Sequence, residues 1–483
     1  MFVLPKVTVE RWILGLIACS FLFRLFSLGT VNLLVEEAYY WNYSAHLDWS
    51  YLDHPPLVAL LIKLSTSFLG TTEWAVRLPS MICWVLMAGY SYRLTILVGE
   101  KGWVAVFLLS ILPFFFLQSW VMTPDQPLLV AWSALLYYLY RACVLNQNRA
   151  WFSAGIALGL GLLSKYTIVL LVPATLLFLC LSARRRFWFF RIEPYAALLC
   201  AGVLFSPVLY WNATHDWISF TFQSSRRLNE VHQCSIHVLF GLLILFLMPV
   251  GVKGLWRLCR VSSVGQEDTL LFFKCMLVLP LIFFACFSVF HAVKFNWIGP
   301  SLLALIPWLS REFKASQKAW GCSAILLMSM YSLILVIIAR GQPTSVYQLL
   351  FSKYMNWQQL SETIFEQLES IEHQTHTQPV MITLDKYNIA SEFAFYQAKL
   401  HPKHTYAIRG SDVYGGESLM YRYWGEALSP MGQTRLLVTD NARHFNNPAI
   451  VLHATTQSSI QSWTAVSQGA STDVKAYFYR IIR

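Results

Sequence analysis

Long apolar runs separated by short polar segments follow one another from the N-terminal region to about residue 340. A helix that crosses a bilayer needs about 20 consecutive, mostly apolar residues, and about eleven runs can be assigned to such helices. The first run is centred in Trp12–Leu28 and the last in Ala319–Ala339. The pattern therefore predicts a polytopic α-helical membrane protein with about 11 transmembrane helices.

The division between the fifth and the sixth run falls at Ser164, Lys165 and Tyr166. A polar triplet that contains a lysine, set between two apolar runs, favours the end of one helix and the start of another. A single long, kinked helix is the alternative at this point.

The pattern changes after residue 342, where long apolar runs stop and polar residues become frequent. “VMITL” (Val380 to Leu384) and “RLLVTD” (Arg435 to Asp440) read as strands. “NIASEFAFYQ” (Asn388 to Gln397) reads as a helix with Asn388 near its N-cap. We therefore expect a transmembrane domain over residues 1–342 and a small α/β domain over residues 343–483.

Apolar residues make up 56% and charged residues 13% of the 483 residues, which excludes an ordinary soluble protein. The formal net charge of +11 does not indicate nucleic-acid binding, because basic clusters such as “ARRRFWFFR” (Ala183 to Arg191) stand between apolar runs. Lysines and arginines in such loops set topology by the positive-inside rule. In a bacterial inner membrane, that rule places the N-terminus in the cytoplasm and the C-terminal domain in the periplasm.

The predicted outer loop over residues 31–73 is rich in acidic residues. Glu36 and Glu37 directly follow the first apolar run, and Asp53 and His54 directly precede two prolines. Because prolines stiffen the backbone, a rigid acidic loop at a membrane face suits general-base catalysis or cation binding. A solvated loop is the alternative.

The same loop carries many aromatic residues, among them Tyr39, Tyr40 and Trp41. Their rings can pack on a sugar or a lipid. An interfacial aromatic belt is the alternative, because Trp and Tyr are enriched where a membrane meets water.

Further ionisable residues lie on the same predicted side. Asp125 stands between prolines in “TPDQP”, where an N-cap role is the alternative. Lys165 and Lys294 stand in apolar settings beside Ser164 and Asn296. Lone lysines at span ends often snorkel, yet ionisable groups within membrane segments indicate function, and a cation here can hold a lipid-linked phosphate. The other candidates on this side are Tyr166, His215, Asp216, Arg226 and Arg227.

Taken together, the predicted outer face offers acids that can activate a hydroxyl and cations that can stabilise a leaving phosphate. Transfer of a sugar from a polyprenyl-phosphate donor needs this pairing. A transporter or flippase of a lipid-linked sugar, or an inactive glycolipid-binding protein, is the alternative. Several carboxylates at one face can also bind a divalent cation, so metal dependence stays open. The ten scattered cysteines, without a CxxC pair, predict neither a disulfide framework nor a zinc site.

“EEAYYWNYSAHLDWSYLDHPP” resembles the first-loop signature of bacterial members of glycosyltransferase family 39, which includes the protein O-mannosyltransferases; the lipid A aminoarabinose transferases are close relatives. Later family blocks resemble, in the same order, “MTPDQPLL”, “GLLSKYTIVLL”, “PVLYWNATHDWISFTFQ” and “VKFNWIGP”. “NIASEFAFYQ” is similar to a block of the family's periplasmic domain. The resemblance covers nearly the whole chain.

The resemblance implies a GT-C fold, an undecaprenyl-phosphate sugar donor, catalysis at the periplasmic face and inversion at the anomeric carbon. The family's catalytic aspartate falls on Glu36, so that this chain has a glutamate there, one methylene longer. A misplacement of about 1 Å can cost roughly 100-fold in rate, which leaves larger roles for Glu37 or Asp53 open.

The resemblance and the residues together predict two groups. The catalytic group, with Glu36 as general base, is Glu36, Glu37, Asp53 and His54. The substrate-binding group is Tyr39, Tyr40, Trp41, Asp125, Lys165, Tyr166, His215, Asp216, Arg226, Lys294 and Asn296. Lipid A or another glycolipid is the favoured acceptor, with an exported glycan or a protein hydroxyl as alternatives.

Overall fold

A computed structural model describes residues 6–224, 233–261, 268–343, 345–347, 356–425, 434–452, 456–465 and 475–482. The helices before residue 224 are α1 (Lys6–Ser27), α2 (Val35–Ala45), α3 (Leu57–Leu69), α4 (Glu73–Leu97), α5 (Gly102–Ile111), α6 (Pro113–Gln118), α7 (Asp125–Leu139), α8 (Arg149–Leu162), α9 (Leu171–Leu181), α10 (Ile192–Thr214) and α11 (Ile218–Gln223). The later helices are α12 (Ile236–Arg260), α13 (Asp268–Phe290), α14 (Ile306–Arg340), α15 (Trp357–Thr375), α16 (Asn388–Leu400), α17 (Tyr421–Trp424) and α18 (Pro448–Leu452). Short 3-10 helices occupy Tyr166–Leu170, Arg186–Phe190 and Gly299–Leu305.

Six helical stretches in the described part of the chain are long and apolar enough to cross a membrane. They are Glu73–Leu97, Asp125–Val144, Ile192–Thr214, Ile236–Arg260, Asp268–Phe290 and Gly299–Arg340. Three shorter apolar helices are Leu57–Leu69, Gly102–Ile111 and Tyr166–Leu181. The chain is thus a multi-pass α-helical membrane protein, as its hydropathy pattern predicts, whereas the count of about 11 spans is not confirmed.

Two compact units make up the chain. Unit 1 comprises residues 1–26, 53–58 and 78–331, and unit 2 comprises residues 27–52, 59–77 and 332–483. The domain boundary expected at residues 342/343 stays a prediction, and the two units are described one by one below.

Unit 1 is a helical bundle in which glycines permit close helix packing. At Gly155 of α8, an added Cβ would lie 2.5 Å from the backbone oxygen of Ala197 on α10. At Gly159, one turn later, it would lie 2.7 Å from Leu204 Cβ. Small residues spaced four apart let two membrane helices approach closely, so this pair fixes α8 against α10.

The helix break predicted between the fifth and sixth apolar runs is confirmed. Helix α8 ends at Leu162, and a 3-10 helix begins at Tyr166. Lys165 lies between them in an extended conformation, with φ −158° and ψ 133°. The break gives the lysine side chain a direction that a continuous helix would not allow.

Unit 2 contains a five-stranded sheet with the order β2-β1-β3-β5-β4. Its strands are β1 (Val380–Thr383), β2 (Ala407–Arg409), β3 (Arg435–Thr439), β4 (Gln461–Ala465) and β5 (Lys475–Ile482). Strand β1 pairs in parallel with β2 and β3, whereas β5 pairs antiparallel with β3 and β4. The two predicted strands are therefore confirmed as β1 and β3.

Helix α16 confirms the predicted helix near residue 388 and begins at Asn388 itself. The carboxylate of Asp385 accepts hydrogen bonds from the backbone N–H groups of Tyr387, Asn388 and Ile389. It thereby satisfies donors that a helix start leaves without intrahelical partners.

The predicted loop over residues 31–73 is largely helical, since α2 and α3 both lie in it. Glu36 and Glu37 are in the first turn of α2. Negative side chains are stabilised there by the helix dipole. The backbone is thus helical at these two acids, whereas the two prolines follow Asp53 and His54 further along the chain.

Candidate functional site

In unit 1, the ammonium group of Lys165 is held by a buried carboxylate. Lys165 Nζ donates to Asp125 Oδ1 at 2.8 Å, and the two side chains are 10% and 3% exposed. Asn296 Nδ2 donates to the other carboxylate oxygen, Asp125 Oδ2, at 2.6 Å. Three residues predicted to bind substrate therefore lie together in the structure.

The backbone around this trio is fixed by further hydrogen bonds. Ser164 Oγ donates to the backbone oxygen of Pro124 at 2.5 Å, which ties the helix break to the start of α7. Asp125 is the first residue of α7, after the N-cap residue Pro124, so the N-cap alternative for Asp125 does not hold. The carboxylate instead serves the lysine and the amide.

Asp53 and His54 lie near the end of α8. The backbone N–H of Leu57 donates to the backbone oxygen of Leu163 at 3.0 Å, which anchors the turn that contains Asp53 and His54. His54 Nε2 lies 4.0 Å from Asp53 Oδ2, and the side-chain amide of Gln223 donates to the backbone oxygen of Asp53. Gln223 ends the block “PVLYWNATHDWISFTFQ”, but its role was not predicted from the sequence.

A cavity of about 250 Å³ opens in unit 1 next to Lys165. Its polar lining comes from His54, Lys165, Tyr166, Thr167 and Gln223. Its apolar lining comes from Val169, Leu170, Phe283, Phe284, Phe287 and Trp297. A cation and a histidine at one part of an otherwise aromatic cavity suit an amphipathic ligand with an anionic head group.

Tyr166 is oriented by contacts within unit 1. Its hydroxyl lies 3.1 Å from Ser219 Oγ, and its ring lies 5.5 Å from that of Phe220. Its predicted substrate-binding role is thus consistent with a position on the cavity wall.

Three other predicted residues that the structure describes, namely Lys294, Asp216 and His215, are not among those that line this cavity. Lys294 is exposed, as is Asp216, which has a positive φ of 52°. His215 stacks on Trp211 with ring centroids 4.1 Å apart, and its Nδ1 lies 2.8 Å from the backbone oxygen of Trp211. Arg226 lies outside the described residues, as does Arg227.

In unit 2, the neighbouring acids Glu36 and Glu37 point to different surroundings. Glu36 is exposed, whereas Glu37 is fully buried. The guanidinium of Arg77 donates to both oxygens of Glu37, at 2.6 to 3.1 Å, and Glu37 Oε2 also accepts from the backbone N–H of Leu34. Of the two acids, Glu36 has the exposure that proton transfer to or from a substrate requires.

Arg77 was not identified from the sequence. It also donates to the backbone oxygens of Leu28, Val31 and Asn32, and so fixes the chain just before α2. A charged residue in an otherwise apolar helix was the feature that could have indicated this role.

The aromatic residues of α2 pack within unit 2. Tyr39, Tyr40 and Trp41 are each at most 9% exposed. The ring of Tyr39 lies 4.7 Å from that of Tyr387, and the ring of Trp41 lies 5.3 Å from that of Phe395. Their predicted contact with a sugar or lipid stays a prediction.

No group of three or more His, Cys, Asp or Glu side chains among the described residues is arranged to hold a metal ion. The buried carboxylates Glu37 and Asp125 are instead paired with Arg77 and Lys165.

Comparison with known families gives a match in the N-terminal half. The sequence profile of the family described as dolichyl-phosphate-mannose-protein mannosyltransferase matches residues 53–211. These residues include Asp53, His54, Asp125 and Lys165.

Lipid A galacturonosyltransferase RgtD from Rhizobium johnstonii is 26% identical to this chain over 307 residues. The match covers 59% of this chain and 62% of that protein. The chain thus matches less than two thirds of the length of this relative.

Solved structures extend the similarity to nearly the whole chain. The crystal structure of ArnT from Cupriavidus metallidurans in the apo state has a TM-score of 0.66 and 14% identity, over 98% of both chains. The structure of the same protein bound to undecaprenyl phosphate has a TM-score of 0.61 and 14% identity, over 97% of this chain and 98% of that one. At this identity the likeness shows a common fold.

Proposed function

We propose that this chain is a GT-C glycosyltransferase that transfers a sugar from a polyprenyl-phosphate donor to an acceptor at the periplasmic face of a bacterial inner membrane. The family match over residues 53–211 and the similarity to the galacturonosyltransferase support this proposal, and the ArnT fold confirms the fold class expected from the sequence. The activity, the substrates and the location are the content of the proposal.

The cavity of unit 1 is the observation that carries the proposal. Its polar part presents the Lys165 ammonium group and the His54 ring, and its aromatic part presents Phe283, Phe287 and Trp297. A polyprenyl phosphate has a matching division, because a compact anion is joined to an apolar chain. We assign the phosphate to the polar part and the first isoprene units to the aromatic part. An ArnT structure with bound undecaprenyl phosphate has the same fold and supports this class of ligand.

The chemistry assigned to the cavity is stabilisation of the leaving group. When the bond between the anomeric carbon and the phosphate oxygen breaks, negative charge develops on the phosphate. An ammonium group in a low-dielectric cavity stabilises that charge more strongly than water does. Asp125 holds Lys165 in place but neutralises part of its positive charge. Asn296 donates a hydrogen bond to the other carboxylate oxygen and so limits this neutralisation.

Activation of the acceptor is assigned to Glu36 on separate grounds, namely its place in the family signature and its exposure in unit 2. The acceptor hydroxyl loses its proton to the carboxylate as its oxygen attacks the anomeric carbon, with inversion. Glu37 is given a structural role in this scheme, because both of its oxygens are engaged by Arg77.

We favour a glycolipid of the lipid A class as acceptor, since the related Rhizobium protein is named a lipid A galacturonosyltransferase. An exported glycan and a protein hydroxyl are the other acceptors to be tested. The small α/β domain and the catalysis are assigned to the periplasmic side by the distribution of charged loops.

The test is an assay of the purified full chain in lipid nanodiscs, with undecaprenyl-phosphate-linked sugars as donors and lipid A as acceptor. We expect free undecaprenyl phosphate and a lipid A product that is heavier by one sugar. Mass spectrometry of envelope glycolipids, with and without the gene, identifies the sugar and the acceptor in cells. Movement of an intact donor across the bilayer without its cleavage would instead establish the flippase alternative.

Glu36→Gln is expected to lower transfer by about 100-fold or more, because it removes the base and keeps the size of the side chain. Glu10→Gln, at an acid that is half exposed and pairs with Lys101, is the matched control and should keep full activity. Full activity of Glu36→Gln would refute the role of Glu36. Donor cleavage that persists without acceptor would show that the donor site works independently.

A further inference from the structure

Glu392 on α16 is a carboxyl group buried without any hydrogen bond in unit 2. The side chain is 0% exposed. Neither Glu392 Oε1 nor Oε2 has a hydrogen-bond partner among the described residues. An ionised carboxylate in such a place pays a large desolvation cost, whereas an uncharged carboxyl pays much less.

The charged groups around Glu392 come from several elements of unit 2. Helix α2 contributes Glu36 and Glu37, and α4 contributes Glu73 and Arg77. Arg77 is committed to Glu37, and Glu73 is paired with Lys399 at 2.8 Å. Three tyrosines interact electrostatically with the Glu392 carboxyl, namely Tyr396, Tyr421 and Tyr477. The nearby cations are therefore already engaged by other acids.

Burial raises the pKa of Glu392 well above the ordinary value for a glutamate. The negative charge of Glu37 raises this pKa further, the Arg77 guanidinium lowers it, and the charges of Glu36 and Glu73 raise it. Desolvation is the largest of these causes. The uncharged carboxyl is thus the form compatible with the packed structure.

Glu392 lies in the part of α16 that packs against α2 and the residues just before it. Asn42 Nδ2 donates to the backbone oxygen of Ser391 at 3.2 Å, next to Glu392 in the chain. The backbone N–H of Leu33 donates to the hydroxyl of Tyr396 at 3.2 Å, one turn further along α16. The ring of Trp41 packs edge-on against Phe395. Contacts before, beside and after Glu392 therefore hold the helix that carries Glu36.

We propose that Glu392 is a pH-sensitive latch between α16 and α2, and that its ionisation loosens α2 and so misplaces Glu36. The proposal rests on the proposed role of Glu36 for its effect on activity. Its effect on structure is independent of that role. An ionised Glu392 repels Glu37 and Glu36 and competes for Arg77, whose charge is fully used in the packed state.

The sign of the effect follows from the direction of the shift. Since the folded-state pKa is raised, the folded state binds more protons than the unfolded state above the ordinary carboxyl pKa of about 4.5. The stability of the α2–α16 packing is therefore complete below that pH and is lost as the pH rises towards the raised pKa. The latch is closed in acid and opens in alkali.

Hydrogen exchange of the full chain in nanodiscs tests the latch without any substrate. After correction for the intrinsic rate, exchange in residues 35–45 should rise at least about tenfold between about pH 6 and about pH 9 in the unmodified protein. In Glu392→Gln, which cannot ionise, the rise should stay under about twofold. Glu392→Met, also unable to ionise and apolar, provides a second variant if the buried amide impairs folding. Glu366→Gln on the exposed side of α15 is the matched control and should behave like the unmodified protein.

Transfer rates measured over the same pH range provide the second readout. The alkaline decline of the unmodified protein should be absent or displaced upward in Glu392→Gln, with unchanged KM for the donor. A pH-independent exchange rate in the unmodified protein, or an equal rise in Glu392→Gln and Glu392→Met, overturns the latch. A further outcome is that transfer is absent from the unmodified protein as well as from every variant, while the exchange pattern is the expected one. That result supports the latch and refutes the proposed function instead.

Discussion

The two units each contain a buried ion pair, and the pairs differ in how the cation is used. In unit 2, Arg77 and Glu37 are both 0% exposed. Every nitrogen of the Arg77 guanidinium donates to Glu37 or to a backbone oxygen. In unit 1, Lys165 donates to Asp125 and also lines a cavity. An ammonium group has three donors, so Lys165 can bind a further anion.

This difference shows that burial of an ion pair does not by itself identify a functional site. A saturated pair such as Arg77–Glu37 fixes the chain, because removing one partner leaves the other charge buried and uncompensated. A pair with spare donors beside a cavity can hold a ligand. The comparison therefore predicts that the two cations respond differently to substitution.

The largest effect is expected for Arg77→Ala. It leaves Glu37 buried without its cation and three backbone oxygens without their donor, which should cost about 3–5 kcal/mol. We expect a strong loss of folded protein, measured by thermal unfolding in detergent and by yield. Arg191→Ala, at an exposed arginine that pairs with Glu193, is the control and should change stability by less than about 1 kcal/mol. If Arg77→Ala and Arg191→Ala were equally stable, the structural role assigned to Arg77 would be wrong.

A smaller effect in free energy, and one on activity alone, is expected for Lys165→Met. Loss of the ammonium group should lower transfer about 100-fold or more, which is about 2.7 kcal/mol of transition-state stabilisation. Folding should be retained, because methionine fills a similar volume and Asp125 keeps its hydrogen bond from Asn296. Lys101→Met, at an exposed lysine paired with Glu10, should leave the rate unchanged. If Lys165→Met lowered stability as much as Arg77→Ala does, both ion pairs would be structural, and the proposed difference between them would be wrong.

The smallest effect is expected for Asp125→Asn. This variant keeps the shape of the side chain but frees the charge of Lys165, and it replaces one of the two acceptor oxygens that receive Lys165 and Asn296 with an N–H donor. We expect KM for the donor to change more than kcat, by about tenfold, since Asp125 positions Lys165 and need not touch the sugar. Glu366→Gln, at an exposed acid of α15 that does not line the cavity, is the matched acid-to-amide substitution and should leave KM unchanged. A loss confined to kcat would instead assign Asp125 to the chemical step.

Much of the fold follows from local patterns. The strands β1 and β3, the helix α16 and the break at Lys165 are all evident in the sequence, since each depends on residues close together in the chain. The helical character of residues 31–73 was not predicted, because aromatic and acidic residues hide the apolar spacing of α2. Tertiary packing of those aromatics stabilises the helix.

The site was only partly predictable for a similar reason. Lys165, Asp125 and Asn296 were named one by one, but their hydrogen bonds join residues up to 171 positions apart. The sequence could not tell Glu36 from Glu37, because which of two neighbouring acids faces inward depends on Arg77. Glu392 resembles an ordinary helix glutamate until its burial is known.

The break at Lys165 also bears on how the chain is made. Helix α8 has 14 residues, a length of about 21 Å, whereas the hydrocarbon core of a bilayer is about 30 Å thick. Such a segment is too short to be held across the membrane by its own hydrophobicity. Its glycines Gly155 and Gly159 pack against α10, which follows it in the chain, so α8 acquires this part of its packing only after α10 has been translated.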